Sequence, residues 1–231
     1  MHKAHPLRKA FVEQGIPEET IAQNLEIVPA DYDDFSSEDK CVPLFNGAFA
    51  VVHVALPRDK FLSPDLPKVL MDSTMSMLKA ASQVPTLERF VFTSSSAAIT
   101  LAPSYVDKAL SVDDWNEVAI KVMVEGEAVE NYPEHKKVYR GMPYAAGKAM
   151  SERVGFDFVK RTKVRMLFST ATGLLKPLIP QPNFQFVSVL PNFTFGPTLG
   201  DPATSVGTLL AALKGDKSYT SLFVPRKSKN L

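Results

Sequence analysis

Tyr144 and Lys148 stand four residues apart in the run Pro143-Tyr144-Ala145-Ala146-Gly147-Lys148. On a helix that spacing places both side chains on one face. A phenol with a free pKa of about 10 is a poor acid or base at neutral pH, and a neighbouring ammonium favours the phenolate. Such a pair can move a proton. Thr93, Ser94, Ser95 and Ser96 follow the apolar run Phe90-Val91-Phe92 and add hydroxyls, of which Ser95 is suited to hydrogen-bond a substrate oxygen. Tyrosine and lysine meet this spacing by chance in many proteins, as an exposed helical pair. It is the ordered combination with the Thr-Ser-Ser-Ser strand exit and with Leu190-Pro191-Asn192-Phe193-Thr194-Phe195-Gly196-Pro197 that favours chemistry over a solvated face.

The elements that must position these residues alternate along the chain, as in an α/β fold with a parallel sheet. Leu25 to Val28 reads as a short strand, followed by an acidic turn at Asp31, Tyr32, Asp33 and Asp34. Ser36, with Asp39 three residues on, is placed to cap a short helix ending near Gly47. Phe49 to Val54 is a nearly continuous apolar run, as expected of a strand covered on both faces. Leu70, Met77, Leu78 and Ala81 keep helical spacing between Leu66 and Gln83, and this stripe reads as core packing. Phe90 to Phe92 is the next strand, which delivers Thr93 to Ser96 to the edge where open parallel sheets bind ligands. Helices are expected over Val112 to Val124 and Tyr144 to Lys160, and a strand over Phe184 to Leu190.

Composition sets further bounds. The chain has 231 residues, 45% hydrophobic and 22% charged, enough to bury a substantial core. A formal net charge of +1 provides no electrostatic footprint for nucleic acid or an acidic membrane surface. Cys41 is the single cysteine, read as a buried apolar residue and as a sign of a reducing compartment. The first residues are charged and polar where a signal peptide needs an apolar core, and no long apolar stretch suggests a membrane span. The expectation is a cytoplasmic protein with no nucleic-acid or membrane partner. His53, inside a strand run, reads as a core histidine. His135 has no partner at metal spacing, and the Asp31, Asp33 and Asp34 cluster lacks the ligand spacing of a calcium loop, so no metal site is expected.

Taken in order, Asn24 to Asp31, Val51 to Pro57, Leu87 to Ser96, Tyr144 to Arg153 and Phe184 to Pro197 make the chain resemble the extended short-chain dehydrogenases/reductases, the NAD-dependent epimerase/dehydratase superfamily. Within it, the likeness is to ketoreductases and aldehyde reductases related to dihydroflavonol reductase. The resemblance implies a Rossmann-like, doubly wound parallel sheet and the NADP(H)-dependent interconversion of a small-molecule carbonyl and an alcohol, with NAD as the other cofactor choice. It implies that Tyr144 donates or accepts the proton, that Lys148 lowers its pKa and binds the nicotinamide ribose, and that Ser95 orients the carbonyl, with Ser96 standing in if the alignment slips by one. It also places Asp31 and Tyr32 at the adenine, Val54, Ala55 and Leu56 along the cofactor backbone, Thr93 in the cofactor site and Pro191 beside the nicotinamide. Leu56 stands where relatives often have a small polar residue.

The chain departs from that pattern in three places. No G-x-x-G-x-x-G phosphate loop occurs in it, so the resemblance implies a partial cofactor domain over residues 1–231 lacking the first strand, loop, first helix and second strand. Residues 164–181 match neither the helix before them nor the strand after, and joining Lys163 to Pro182 restores a family-like connection. They begin with Val164, whose codons start with GT, and end with Gln181, which CAG can encode; the reading is a short intron retained in frame, forming a surface loop if translated. The stretch after Lys217 lacks most of the substrate lobe that the resemblance implies. Two other readings stand beside the reductase: a catalytically silent fragment or binding protein that keeps the sheet, and a sugar-nucleotide epimerase or dehydratase using bound NAD.

Overall fold

A computed structural model describes residues 4–101, 109–172, 182–192, 194, 210 and 213–214. The chain separates into two compact units, one of Met1–Pro29 with Phe193–Leu231 and one of Ala30–Asn192. In the first, α1 (Ala4–Glu13) and α2 (Glu18–Asn24) are joined through Gly15, whose φ of 84° suits a residue without a Cβ. Leu25 to Val28, expected as a strand, has no regular structure. The Leu25 amide closes α2 on the Ile21 carbonyl at 2.9 Å.

The second unit carries the candidate site. Tyr32–Ser36 forms a 3-10 turn, and α3 (Glu38–Phe45) starts after Ser37, one residue later than the capping expected at Ser36. Three strands, β1 (Ala50–His53), β2 (Arg89–Thr93) and β3 (Gln185–Val189), form a parallel sheet in the order β1-β2-β3. The crossover from β1 to β2 is α4 (Leu66–Ser82), with Leu66, Leu70, Met77, Leu78 and Ala81 all buried, as their helical spacing requires. Between β2 and β3 lie α5 (Glu117–Met123) and α6 (Met142–Thr172). This parallel sheet with helical crossovers is the Rossmann-like arrangement the sequence implied.

Register explains the core. Val51 pairs with Phe90, His53 with Phe92, and Phe90 with Phe186, so these side chains share one face. Cys41, Phe45, Met77, Leu78 and Phe158, from three helices, close over that face. The rings of Phe90 and Phe92 stack on Phe186 at centroid distances of 6.0 and 6.2 Å. The opposite face follows a different rule. Val52 and Val54 are 61% and 64% exposed, so the β1 run is covered on one side among the described residues rather than on both.

Helix α6 lies close to its neighbours because it is built from small residues. A Cβ on Gly147 would come within 2.7 Å of Leu70 Cδ1, and one on Gly155 would fall inside the ring of Phe186. Glycine inside a helix costs about 1 kcal/mol relative to alanine, and here that cost permits close contact with α4 and β3. The helix runs beyond the expected Lys160 to Thr172, so residues 164–172 are helical where a loop was expected. The run Val164 to Thr172 contains neither glycine nor proline to stop it; residues 173–181 of the expected insertion lie outside the described residues. Helix α5 is shorter than the expected span from Val112. Asn116 supplies its N-cap, with Oδ1 accepting from the Ala119 amide at 3.1 Å, which sets the start after Trp115.

Candidate active site

Strand β2 ends at Thr93, and Ser94, Ser95 and Ser96 lead from the C-terminal edge of the sheet into a 3-10 turn at Ser96–Ala98. Ser95 keeps extended backbone angles (φ −163°, ψ 152°) while its Oγ accepts a hydrogen bond from the Ala97 amide at 3.2 Å. The exit of β3 meets this turn: the Ser96 amide donates to the Pro191 carbonyl at 2.9 Å. From the other side, the Asn116 amide donates to the Ala98 carbonyl at 2.8 Å, and Asn116 Nδ2 donates to the Ala97 carbonyl at 3.0 Å. The hydroxyl-bearing turn is therefore held from several directions.

Helix α6 presents Tyr144 and Lys148 at this turn. Ala97 belongs to the same apolar cluster as Ala145 and Ala146, with Tyr144 packed against it. The Tyr144 ring lies against Phe61 at 5.1 Å, and its hydroxyl has no hydrogen-bond partner among the described residues. Lys148 is 4% exposed. Its Nζ donates to the Thr93 carbonyl at 2.6 Å and sits 4.9 Å from the centroid of Phe92 and 5.9 Å from that of Tyr144. Burial pulls the ammonium down from its usual 10.5 to about 8, opposed by the carboxylate of Glu152. Facing it, His53 is buried and held to about 4, first by desolvation and then by the charge of Lys148. A cationic lysine beside a neutral histidine is the resulting state near neutrality.

The other sequence-derived positions scatter around this centre. Asp31 is exposed and precedes the 3-10 turn containing Tyr32. Tyr32 turns inward: its hydroxyl bonds Ser73 Oγ at 2.9 Å and its ring approaches His53 at 6.5 Å. Val54, Ala55 and Leu56 follow β1 at the same sheet edge as Thr93, with Val54 and Ala55 exposed and Leu56 half-buried. Cys41 is fully buried and its thiol is pushed up to about 11 by desolvation, then by Asp34 and Glu38, which fits packing and not nucleophilic chemistry. No group of three or more His, Cys, Asp or Glu side chains among the described residues could hold a metal ion. Nor is any described helix long and apolar enough to cross a membrane.

Sequence reading did not assign roles to Ser94, Asn116 or Glu152. All three are buried, at 2%, 5% and 6% exposure. Ser94 Oγ donates to Glu152 Oε2 at 2.6 Å. Glu152 lies four residues beyond Lys148 and eight beyond Tyr144, so helical spacing alone could have flagged it on the same face.

The nicotinamide-ribose end of a dinucleotide fits the residues present. Among the described residues, Lys148 uses one of its three donors, and the Tyr144 hydroxyl uses none. The pyrophosphate end does not find its cradle: the described glycines with positive φ are Gly15, Gly47 and Gly126, none at a strand-to-helix turn of this sheet.

No protein-family model matches the chain. It is 25% identical over 193 residues to aldehyde reductase 2 of Sporidiobolus salmonicolor, covering 79% of this chain and 48% of that protein. It is 30% identical over 149 residues to an NAD-dependent epimerase/dehydratase of Aspergillus terreus, covering 63% of this chain and 36% of the other. To dihydroflavonol 4-reductase of Hordeum vulgare it is 26% identical over 210 residues, 87% and 47% of the two chains. The chain thus spans about half or less of the length of these relatives. In fold it is similar to the crystal structure of vestitone reductase from alfalfa, Medicago sativa, with a TM-score of 0.54 at 19% identity, covering 89% of this chain and 58% of that one.

Proposed function

We propose, for a chain that resembles the reductases of the extended short-chain dehydrogenase/reductase family in sequence and in fold, that it descends from and retains the site of an NAD(P)-dependent oxidoreductase acting on a carbonyl/alcohol pair. The observation that carries this reading is the buried Lys148 ammonium beside Tyr144 at the C-terminal sheet edge. In that arrangement Tyr144 gives a proton to the carbonyl oxygen during reduction and recovers it during oxidation. Lys148 keeps positive charge next to the phenol, and Ser95 holds the substrate oxygen. The cofactor, NADP(H) in this reading with NAD(H) as the alternative, supplies or takes the hydride. Lys148 is the residue that would hold its ribose.

The partner is a small carbonyl or alcohol compound. A cavity of about 200 Å³ lined by Leu62, Pro64, Met123, Tyr139, Arg140 and Pro143 adjoins the Tyr144 helix start and is where we place its apolar part. A reducing compartment such as the cytoplasm suits the single, buried cysteine.

Fluorescence titration with NADPH tests the reading. Saturable binding supports it, and no saturation up to millimolar cofactor favours the silent binding protein instead. With binding in hand, Tyr144→Phe should remove turnover of carbonyl substrates and leave cofactor affinity nearly unchanged. Unaltered turnover in that variant would refute the role of Tyr144. The Aspergillus relative's name points to an epimerase or dehydratase; that reading, with a sugar nucleotide as substrate, requires turnover without net consumption of added NADPH.

A further inference from the structure

Two adjoining residues at the exit of β2 are each gripped by α6. The Thr93 carbonyl accepts from Lys148 Nζ, and the Ser94 hydroxyl donates to Glu152 Oε2, both at 2.6 Å. Lys148 and Glu152 are four residues apart, on the helix face that also carries Tyr144 four residues earlier. Ser95 follows Ser94 directly. A buried carboxylate is expensive, and an apolar contact would join helix to strand at lower cost. A hydroxyl-to-carboxylate bond is short and directional, and it sets register in a way that apolar packing does not.

We propose that Glu152 is a positioning residue that acts through Ser94: it locks the strand exit to α6, so that Ser95 is held at a fixed height against Tyr144 and Lys148. The proposal rests on the reductase reading of Tyr144, Lys148 and Ser95, and gives that site a support which the sequence comparison did not assign. Glu152 has a second effect. It is the carboxylate that opposes the desolvation of Lys148, while His53 faces the ammonium from β1, the Thr93 carbonyl from β2, and Tyr144 from α6 itself.

The anchoring and the charge separate experimentally, because Glu152→Gln keeps an acceptor for Ser94 and removes the charge, whereas Ser94→Ala keeps the charge and removes the anchor. Hydrogen exchange of the Ser96–Ile99 amides in the full 231-residue protein, with α4 amides as the fold control, reads the anchor. Ser94→Ala and Glu152→Ala should each speed exchange of the turn by about 10-fold, the double variant no further, and Glu152→Gln by less than about 2-fold. NMR titration of Lys148 reads the charge: Glu152→Gln should lower its midpoint by about one pH unit and Ser94→Ala should leave it in place. Unchanged exchange in Ser94→Ala overturns the proposal, and this variant removes a single oxygen, so it remains informative if Glu152→Ala does not fold. Both measurements need no turnover. Failure of NADPH to bind the unaltered protein therefore defeats the reductase reading alone, whereas an unmoved turn defeats the positioning role alone. Where turnover is measured, Ser94→Ala should lower kcat about 10-fold with little change in the KM for NADPH.

Discussion

The ammonium of Lys148 is 2.6 Å from the carbonyl oxygen of Thr93, the last residue of β2, and this bond carries a charged side chain into the interior of the sheet edge. A lysine at 4% exposure is held there against its solvation preference. Residues kept at a cost to the fold concentrate at functional sites.

Replacing that lysine should therefore stabilise the fold. Burial lowers the ammonium to about 8 from 10.5, so between these values the unfolded chain holds more protons than the folded one. Stability should rise with pH across that window, and below it the native state bears the full cost. Lys148→Met removes about 3 kcal/mol of that cost and loses about 1 kcal/mol with the Thr93 bond, leaving it more stable at pH 7 by on the order of 2 kcal/mol. Urea unfolding at pH 7 and pH 10 checks this: the variant's advantage should shrink at the higher pH. A variant less stable than the parent at pH 7 would contradict the account.

The buried imidazole of His53 predicts the acid limb. Its folded pKa of about 4 lies below the usual 6.5, so the unfolded chain binds the extra proton first as pH falls. The contribution is fully present above pH 6.5 and is lost progressively toward about pH 4, amounting to about 3 kcal/mol. His53→Phe, which keeps an aromatic ring among Tyr32, Phe35 and Phe92, should flatten the pH dependence across this window. An equally steep loss of stability in the variant would move the cause to other groups. Because Lys148 also depresses His53, Lys148→Met should raise the histidine midpoint in an NMR titration.

Gly155 offers a packing test. The Phe186 ring occupies the space a Cβ would need, and it is itself stacked on Phe90 and Phe92 with Phe156 edge-on at 5.1 Å. Alanine gains about 1 kcal/mol in helix propensity, and overpacking costs about 1–3 kcal/mol. Gly155→Ala should lower stability by about 1 kcal/mol and reduce Tm in a thermal melt. A higher Tm would show that Phe186 moves aside freely.

Local pattern made part of this protein legible before its structure. The helical spacing of Leu70, Met77, Leu78 and Ala81 marked α4, and Phe90-Val91-Phe92 and Phe184 to Leu190 marked β2 and β3, because burial acts on one face of each element. Tyr144 and Lys148 were visible as a pair because they stand four residues apart within one helix. Their neighbours were not: Ser94 meets Glu152 across 58 residues of sequence, and Asn116 meets Ala97 across 19.

Short segments and their order were enough to read the α/β alternation, the four-residue spacing of Tyr144 and Lys148, and the likeness to a reductase family. Only the packed fold shows that the Leu25 amide closes α2, that α6 continues to Thr172, and that Lys148 lies buried beside Thr93 and His53. The physical reason is the same in each case. Strand pairing, desolvation and buried hydrogen bonding depend on groups distant in the chain, and only the packed fold specifies which of them meet.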